Sequence, residues 1–166
     1  MRPTILLLAC TLISCDRSEP SPVPEDATDA ATAQQIDPCS LLEASEISVV
    51  MEIEPGEPRL EPPHCIWSSA DGSEQHLVMV SVTPSHYQSW DEYIADMQEE
   101  LGEYFDASEF ERVDDIGRFG VVLDRVSVQV FTGTQVLQIS SHEPGTAWSD
   151  RTTSLELARR ALPRVN

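Results

Sequence analysis

Cysteine and histidine are the residue types that offer the most chemistry in this sequence. Cys39 and Cys65 are too far apart for the C-x-x-C spacing of a redox pair. In an oxidising compartment such a pair predicts a disulfide, and His64 beside Cys65 leaves a His/Cys metal site as the alternative. The remaining histidines are scattered, with no pair at i, i+4, and are His76, His86 and His142. We therefore expect a disulfide and no metal, provided that the chain is exported.

Cys15 supplies the evidence for export. It follows one basic residue (Arg2), an apolar run over residues 5–13 and the small residue Ser14. This order is the pattern that bacterial lipoprotein processing recognises, and the run is far shorter than the roughly 20 residues that span a bilayer. Residues 1–14 are thus predicted to be a signal peptide, and Cys15 the lipidated first residue of the mature chain. A cleaved secretory signal without lipid is the alternative.

A lipid on Cys15 would make the membrane a partner of this chain, because several acyl chains anchor a protein firmly. Cys10 fits the same pattern, but cleavage there would leave too short an apolar run. Residues 16–35 hold three prolines, five acids and no aromatic residue, so they cannot bury enough apolar surface to offset their ordering entropy. We predict a lipidated cysteine and a disordered acidic tether over residues 15–35, with the domain facing the periplasm or the cell surface.

The charge balance limits the partners of the domain. The chain has 10 basic residues, all arginine, against 29 acidic ones, for a formal net charge of −19. This charge repels nucleic acid and anionic lipid head groups, so we predict no nucleic-acid partner. It favours cationic partners or a salty habitat, or it is simply a solvated surface. The length that remains, residues 36–166, is enough for a single core.

Hydrophobic periodicity and capping signals predict one α+β domain over residues 36–166. Asp37 and Pro38 are expected to open the first helix, and a loop with four prolines, residues 54–63, follows it. Capping boxes begin the second and third helices, at Ser89 and Thr153. The order α-β-β-α-β-β-β-α predicts helices packed on one mostly antiparallel sheet. The predicted elements are residues 38–51, 65–69, 77–83, 90–101, 121–123, 126–130, 136–139 and 153–162.

Other chemical signals in the domain are weak. The sequence contains no P-loop, no G-x-S-x-G, no H-E-x-x-H and no G-x-G-x-x-G, so we predict no cofactor. Glu111, Asp114 and Asp115 could bind Ca²⁺, but the 12-residue EF-hand pattern is absent. Trp148 lies in a polar Gly-Pro segment and is the best candidate for an exposed binding residue, because tryptophan is enriched at binding hot spots.

One stretch resembles a known family. The residues Asp37-Pro38-Cys39-Ser40-Leu41-Leu42, followed by Ala44-Ser45-Glu46-Ile47 and later by Cys65-Ile66-Trp67, are similar to a family of uncharacterised bacterial lipoproteins best known from actinobacteria. The resemblance implies a disulfide between Cys39 and Cys65 and a compact α/β domain. It implies no catalytic residues.

These observations favour a lipid-anchored, non-catalytic binding or interaction module, with an unknown protein or small ligand as its partner. The alternative is an extracytoplasmic, hydrolase-like enzyme whose site is not visible in linear spacing. A purely structural role in the envelope is a third hypothesis. A cleft with a His–carboxylate–Ser group and shifted pKa values would favour the enzyme.

Overall fold

The strand segments of the chain pair into one antiparallel sheet. A computed structural model describes residues 36–71, 78–123, 127–142 and 151–165. Within these ranges the strands are β1 (Arg59–Glu61), β2 (His64–Trp67), β3 (Val78–Pro84), β4 (Phe110–Val113), β5 (Phe119–Leu123), β6 (Ser127–Phe131) and β7 (Gln135–Ser141). They are ordered β1-β2-β3-β7-β6-β5-β4, and every neighbouring pair is antiparallel.

Three α-helices among the described residues pack on this sheet: α1 (Ala44–Met51), α2 (Trp90–Leu101) and α3 (Arg151–Ala161). The predicted N-cap of α2 is confirmed, because Ser89 Oγ accepts the backbone N–H of Glu92 at 3.2 Å. The return bond of the predicted capping box is shifted by one residue: the Glu92 carboxylate accepts the N–H of Gln88 at 2.7 Å and not that of Ser89. Gly102 ends α2 with a positive φ of 55°, which glycine adopts without steric cost. These local signals therefore place α2 where the sequence predicts it.

The predicted α+β class is confirmed, and all the described residues belong to one compact unit, Gln35–Asn166. The predicted order omits two strands, β1 and β4. The first lies inside the predicted proline-rich loop, and its residues are all exposed. The second has exposed charged residues at its centre. Both are edge strands of three or four residues, so neither shows the apolar alternation on which the prediction relied.

Two predicted helix starts are wrong. Asp37 caps only a short 3₁₀ turn, Pro38–Ser40, and α1 begins after Glu43, whose N–H donates to the Glu46 carboxylate at 2.8 Å. Leu41 and Leu42 lie between the two elements, and both are buried. Thr153 is the third residue of α3 and is buried, so it is not the N-cap of that helix.

One face of the sheet, which we call the covered face, packs against α1 and α3. Its strand residues alternate with those of the opposite face, as the pattern Val78, Val80 and Val82 predicts. They join the two helices and the 3₁₀ turn in one apolar cluster. The fully buried members include Leu41, Ile47, Val80, Val128, Val130, Leu137, Ile139 and Leu157.

The opposite face carries α2 over one end only. A second cluster joins Tyr93 of α2 to Phe119, Val121 and Phe131. Phe119 and Phe131 stack with their ring centroids 4.5 Å apart. The periodicity of α2 predicts an apolar stripe of Trp90, Tyr93, Ile94, Met97 and Leu101. The first four pack on β5 and β6, but Leu101 is exposed at the end of the helix. The acidic residues of α2 are exposed, as expected for a solvated face. These are Asp91, Glu92, Asp96, Glu99 and Glu100.

Candidate functional site

The cysteine pair of the domain forms the predicted disulfide. Cys39 and Cys65 are bonded with their Cα atoms 5.0 Å apart, which joins the 3₁₀ turn to β2. Their thiols are therefore not free to bind a metal with His64. Within the described residues, no three His, Cys, Asp or Glu side chains are grouped so that they could hold a metal ion. The cysteine pair is structural in this fold.

The acidic residues that suggested a Ca²⁺ site are not brought together. Each pairs with a different arginine: Glu111 with Arg151, Asp114 with Arg112 at 2.5 Å, and Asp115 with Arg159 at 2.9 Å. These are exposed pairs, and such pairs contribute little to stability. Their oxygens point to separate partners and not to a common centre.

A cavity of about 240 Å³ lies at the amino end of α2. We call it the arginine pocket. Arg112 comes from β4, Arg118 directly precedes β5, and Trp90 opens α2. The Arg112 guanidinium carbon lies 5.9 Å from the centre of the Trp90 ring, within the range of a cation–π contact. The pocket is lined by Gln88, Ser89, Trp90, Asp91, Arg112, Arg118 and Phe119.

A glycine turn positions the Arg118 side chain in this pocket. Gly133, between β6 and β7, has a φ of +106°, and a Cβ there would lie 2.5 Å from Arg118 Nε. The side chain therefore lies directly against the glycine backbone. Gln88 Nε2 donates to the Gly133 carbonyl at 2.6 Å, and the N–H of Arg118 donates to the Phe131 carbonyl at 2.8 Å. The turn, the start of β5 and the segment before α2 are thus joined at this point.

A polar row crosses the part of the α2-side face that α2 leaves bare. His64, Ser81, Gln138 and Gln129 are register partners across β2, β3, β7 and β6. Gln129 Nε2 donates to Gln138 Oε1 at 3.4 Å, and Gln138 Nε2 donates to Ser127 Oγ at 3.2 Å. Buried polar groups normally find such partners, but His64 Nδ1 is buried and has none among the described residues.

Two apolar side chains lie beside this row. Ile66 and Met79 are register partners on the same face, half-buried, and members of neither apolar cluster. No described helix packs over them. We call this surface the open face. It consists of the half-buried residues Ile66, Met79, His64, Gln138 and Gln129 and of Ser81, which is buried.

Glu61, His64 and Ser81 lie side by side on β1, β2 and β3, and they are residue types that can form a catalytic triad. Glu61 pairs with His64 across β1 and β2, and His64 pairs with Ser81. A triad needs the imidazole to be bonded to both neighbours. No hydrogen bond links these three described residues, and Glu61 pairs instead with Arg59 at 2.7 Å. The row therefore lends no support to hydrolysis.

A second cavity, of about 230 Å³, lies beside β1. It includes part of the predicted proline-rich loop, which suggested a contact surface. Leu60 is 53% exposed there. Its lining residues are Ile36, Asp37, Pro38, Leu60, Pro62, Pro63 and Val82, and nothing in the described chain indicates what would fill it.

Several predicted features lie outside the described residues: the leader 1–14, Cys15, the tether up to residue 35, and Trp148. In the part of the chain that it describes, no helix combines the length and the apolar character needed to cross a bilayer.

Comparisons of the chain with protein-family models, with curated proteins and with solved structures returned no match. The resemblance to a lipoprotein family thus depends on the motifs around Cys39 and Cys65 alone.

The arginine pocket was not predicted from the sequence. Its residues come from three separate segments, and only the β4–β5 register and the Gly133 turn bring them together. The sequence around Arg118 carries no signal for the pocket, because Asp115 and Asp114 lie only three and four residues before it.

Proposed function

We propose that this protein is a lipid-anchored, non-catalytic binding module on the extracytoplasmic side of a bacterial membrane. In this proposal residues 1–14 direct export, Cys15 carries the lipid and residues 15–35 are the tether. The disulfide between Cys39 and Cys65 supports export, because such bonds persist in oxidising compartments and are rare in the cytosol. The short apolar run that ends at Cys15 supports the anchor.

The observation that carries the binding role is the bare part of the sheet. Ile66 and Met79 expose apolar surface between hydrogen-bonding side chains, a composition that resembles a protein interface. Charge indicates the kind of partner. The net charge is −19 and the acidic side of α2 is exposed, so electrostatic attraction favours a basic partner. We therefore assign the open face to a partner protein with a basic surface.

The test of this surface is a bulky charge at its centre. We expect Met79→Arg to abolish the complex, because the side chain blocks the apolar contact and repels a basic partner. Val49→Arg is the matched control, since Val49 is 68% exposed on α1. The lipidated full-length protein would be extracted in mild detergent and its native mass recorded for each variant.

The proposal requires extra bound mass on the wild type and on Val49→Arg, and none on Met79→Arg. Equal bound mass on all three would contradict the assignment of the open face. An unbound wild type would contradict the binding role itself. Circular dichroism of each variant would establish that it is folded.

The anchor is tested separately. Cys15→Ser should remove the acyl mass from the mature chain and release the protein from the membrane fraction, because Cys15 is the proposed attachment point. Mass spectrometry of the wild type should show the acyl groups. A wild type cleaved without lipid would support the secreted alternative.

Trp148 is a second proposed contact for the partner. If it binds, Trp148→Ala should weaken the complex, because truncating an aromatic anchor typically costs about 2 kcal/mol or more. The measurement is the dissociation constant of the isolated partner. Unchanged affinity would remove Trp148 from the proposed interface and leave the open face untouched.

A further inference from the structure

We propose that the arginine pocket binds a small oxyanion: a carboxylate, or a phosphate or sulfate group, free or at the end of a small molecule. This site is separate from the open face and does not depend on the partner proposed above. Its evidence is a cavity, two guanidinium groups and the pairing of the other arginines.

Arginine pairing distinguishes Arg118 from the rest of the described chain. Among the described residues, the other arginines each form an ion pair with a carboxylate: Arg59, Arg112, Arg151, Arg159, Arg160 and Arg164. Arg118 forms none with a described carboxylate. In a chain with 29 acids and 10 bases, an arginine without an acid partner is unexpected, and an external anion would satisfy it.

Two contacts place this cation at the cavity. The Arg118 side chain lies against Gly133, where a Cβ would lie 2.5 Å from its Nε. Gln88 Nε2 donates to the carbonyl of the same glycine, which holds Gln88 next to Arg118. A donor that is positioned before binding loses less entropy when the ligand arrives.

The acids nearby leave guanidinium N–H groups available. Asp114 accepts from Arg112 Nε, which leaves the terminal nitrogens of that guanidinium available. Asp91 also lines the cavity. Among the described residues it forms no ion pair with Arg112 or Arg118. The Ser89 hydroxyl oxygen accepts the N–H of Glu92, and its O–H can still donate. The two guanidinium groups and this hydroxyl are therefore the donors left for a ligand.

The volume and the walls limit the ligand. About 240 Å³ is below the roughly 300–1,000 Å³ of pockets that hold drug-sized molecules. Trp90 and Phe119 supply an apolar side for a small hydrocarbon or ring attached to the anion. The site thus suits a single oxyanion group or a small acid, and not a polyanion, which the net charge of −19 would repel.

The experiment is an NMR titration of the full chain, with the Cys39–Cys65 disulfide intact, at constant ionic strength. The probes are inorganic phosphate, sulfate and acetate, each replacing chloride, and the signals are the Arg118 Nε–H and the Trp90 indole N–H. Binding predicts saturable shifts of both signals with at least one probe. The anion that binds most tightly separates carboxylate ligands from phosphate or sulfate ligands.

Arg118→Met keeps the side-chain stem and removes the charge, and should weaken binding at least tenfold. Arg59→Met, an arginine paired with Glu61 at the far edge of the sheet, is the matched control and should leave the affinity unchanged. Arg112→Met provides a second test from the other wall and should also weaken binding. Linear, non-saturating shifts, or equal affinity in Arg118→Met and the wild type, would overturn the proposal.

Discussion

The two faces of the sheet are built from the same strands but carry different side chains. On the covered face, β7 contributes Leu137 and Ile139, both with no exposed surface, and these pack under α3. On the opposite face the same strand contributes Gln138 and Ser140, which bond to polar partners on β6. Alternation along one strand therefore separates a surface that stabilises the fold from a surface that remains accessible.

The two faces therefore differ in what they contribute to stability. Apolar burial on the covered face supplies the main driving force for folding. The helix α2 covers only the end of the other face, with an aromatic cluster, and leaves the open face and the arginine pocket on either side. A domain that needed both faces for stability would have an apolar row where Gln129 and Gln138 lie.

The largest test of this comparison uses neighbouring residues of β7. Ile139→Ala should lower the free energy of unfolding by about 3–5 kcal/mol, because it removes a fully buried side chain and leaves a cavity. Gln138→Ala should lower it by less than about 1 kcal/mol, because it removes only a half-buried side chain and its polar contacts. Urea unfolding of both variants measures the difference.

If both variants lost a similar amount of unfolding free energy, the two faces would contribute equally to stability. The proposed difference between the covered face and the open face would then be wrong. The urea m-value should stay constant in both. A change in m would indicate that the variant alters the unfolded state and not the packing.

The disulfide is the next largest contribution on the covered side. It closes a loop with a sequence separation of 26, which the chain-entropy model equates with roughly 3 kcal/mol of stability. The double variant Cys39→Ser/Cys65→Ser should lose about this amount in urea unfolding. Adding reductant to the wild type should give a similar loss, and no further loss in the variant.

A reductant effect on the double variant would show that another thiol contributes. No loss in either case would mean that the loop is already constrained in the unfolded chain.

Gly133 tests the side of the sheet that α2 covers. Gly133→Ala should lower the free energy of unfolding by about 1–2 kcal/mol, because alanine disfavours the φ of +106° found there. The new Cβ would also displace Arg118. We therefore expect the variant to lose oxyanion affinity as well as stability, and the urea midpoint and the NMR titration measure the two effects.

Arg118→Ala in the Gly133→Ala background separates the two causes. It should remove the collision but not the backbone strain, so most of the stability loss should persist. Full recovery of stability would mean that the collision, and not φ, carries the cost.

The features predicted correctly from the sequence are those with local causes. The cap at Ser89 and the end at Gly102 require only neighbouring residues, and both are confirmed. The alternation in β3 predicts the correct facing of Val78, Val80 and Met79. The 3₁₀ turn before α1 was missed because Asp37 and Pro38, the signals that begin it, are the same local signals that begin an α-helix.

The candidate sites were predictable to a smaller extent. Cys39 and Cys65 could be paired because outside the cytoplasm two cysteines have few other roles. The arginine pocket depends on a register between β4 and β5, and the open face depends on where α2 ends its cover. Neither is encoded in short-range patterns, since a one-residue slip in register would reverse every side chain of a strand.

The smallest expected effect concerns the tyrosines under and beside α2. The hydrogen bond that the Tyr87 hydroxyl donates to Asp96 raises the pKa of Tyr87 to about 12, and burial raises the pKa of Tyr93 to about 12. Unfolded tyrosine titrates near pH 10. Between about pH 10 and 12 the unfolded state binds fewer protons, so the free energy of unfolding should fall as pH rises.

The chain suits this measurement because it contains no lysine, and arginine keeps its proton in this range. Urea unfolding at a series of pH values should show a shallower fall for Tyr87→Phe than for the wild type. Asp96→Asn should give a similar change, because it removes the anionic acceptor, and the double variant should change no further. If the effects of the two substitutions on this pH dependence were instead additive in the double variant, Asp96 would not act through Tyr87. The hydrogen bond between them would then not be the source of the pH-dependent stability.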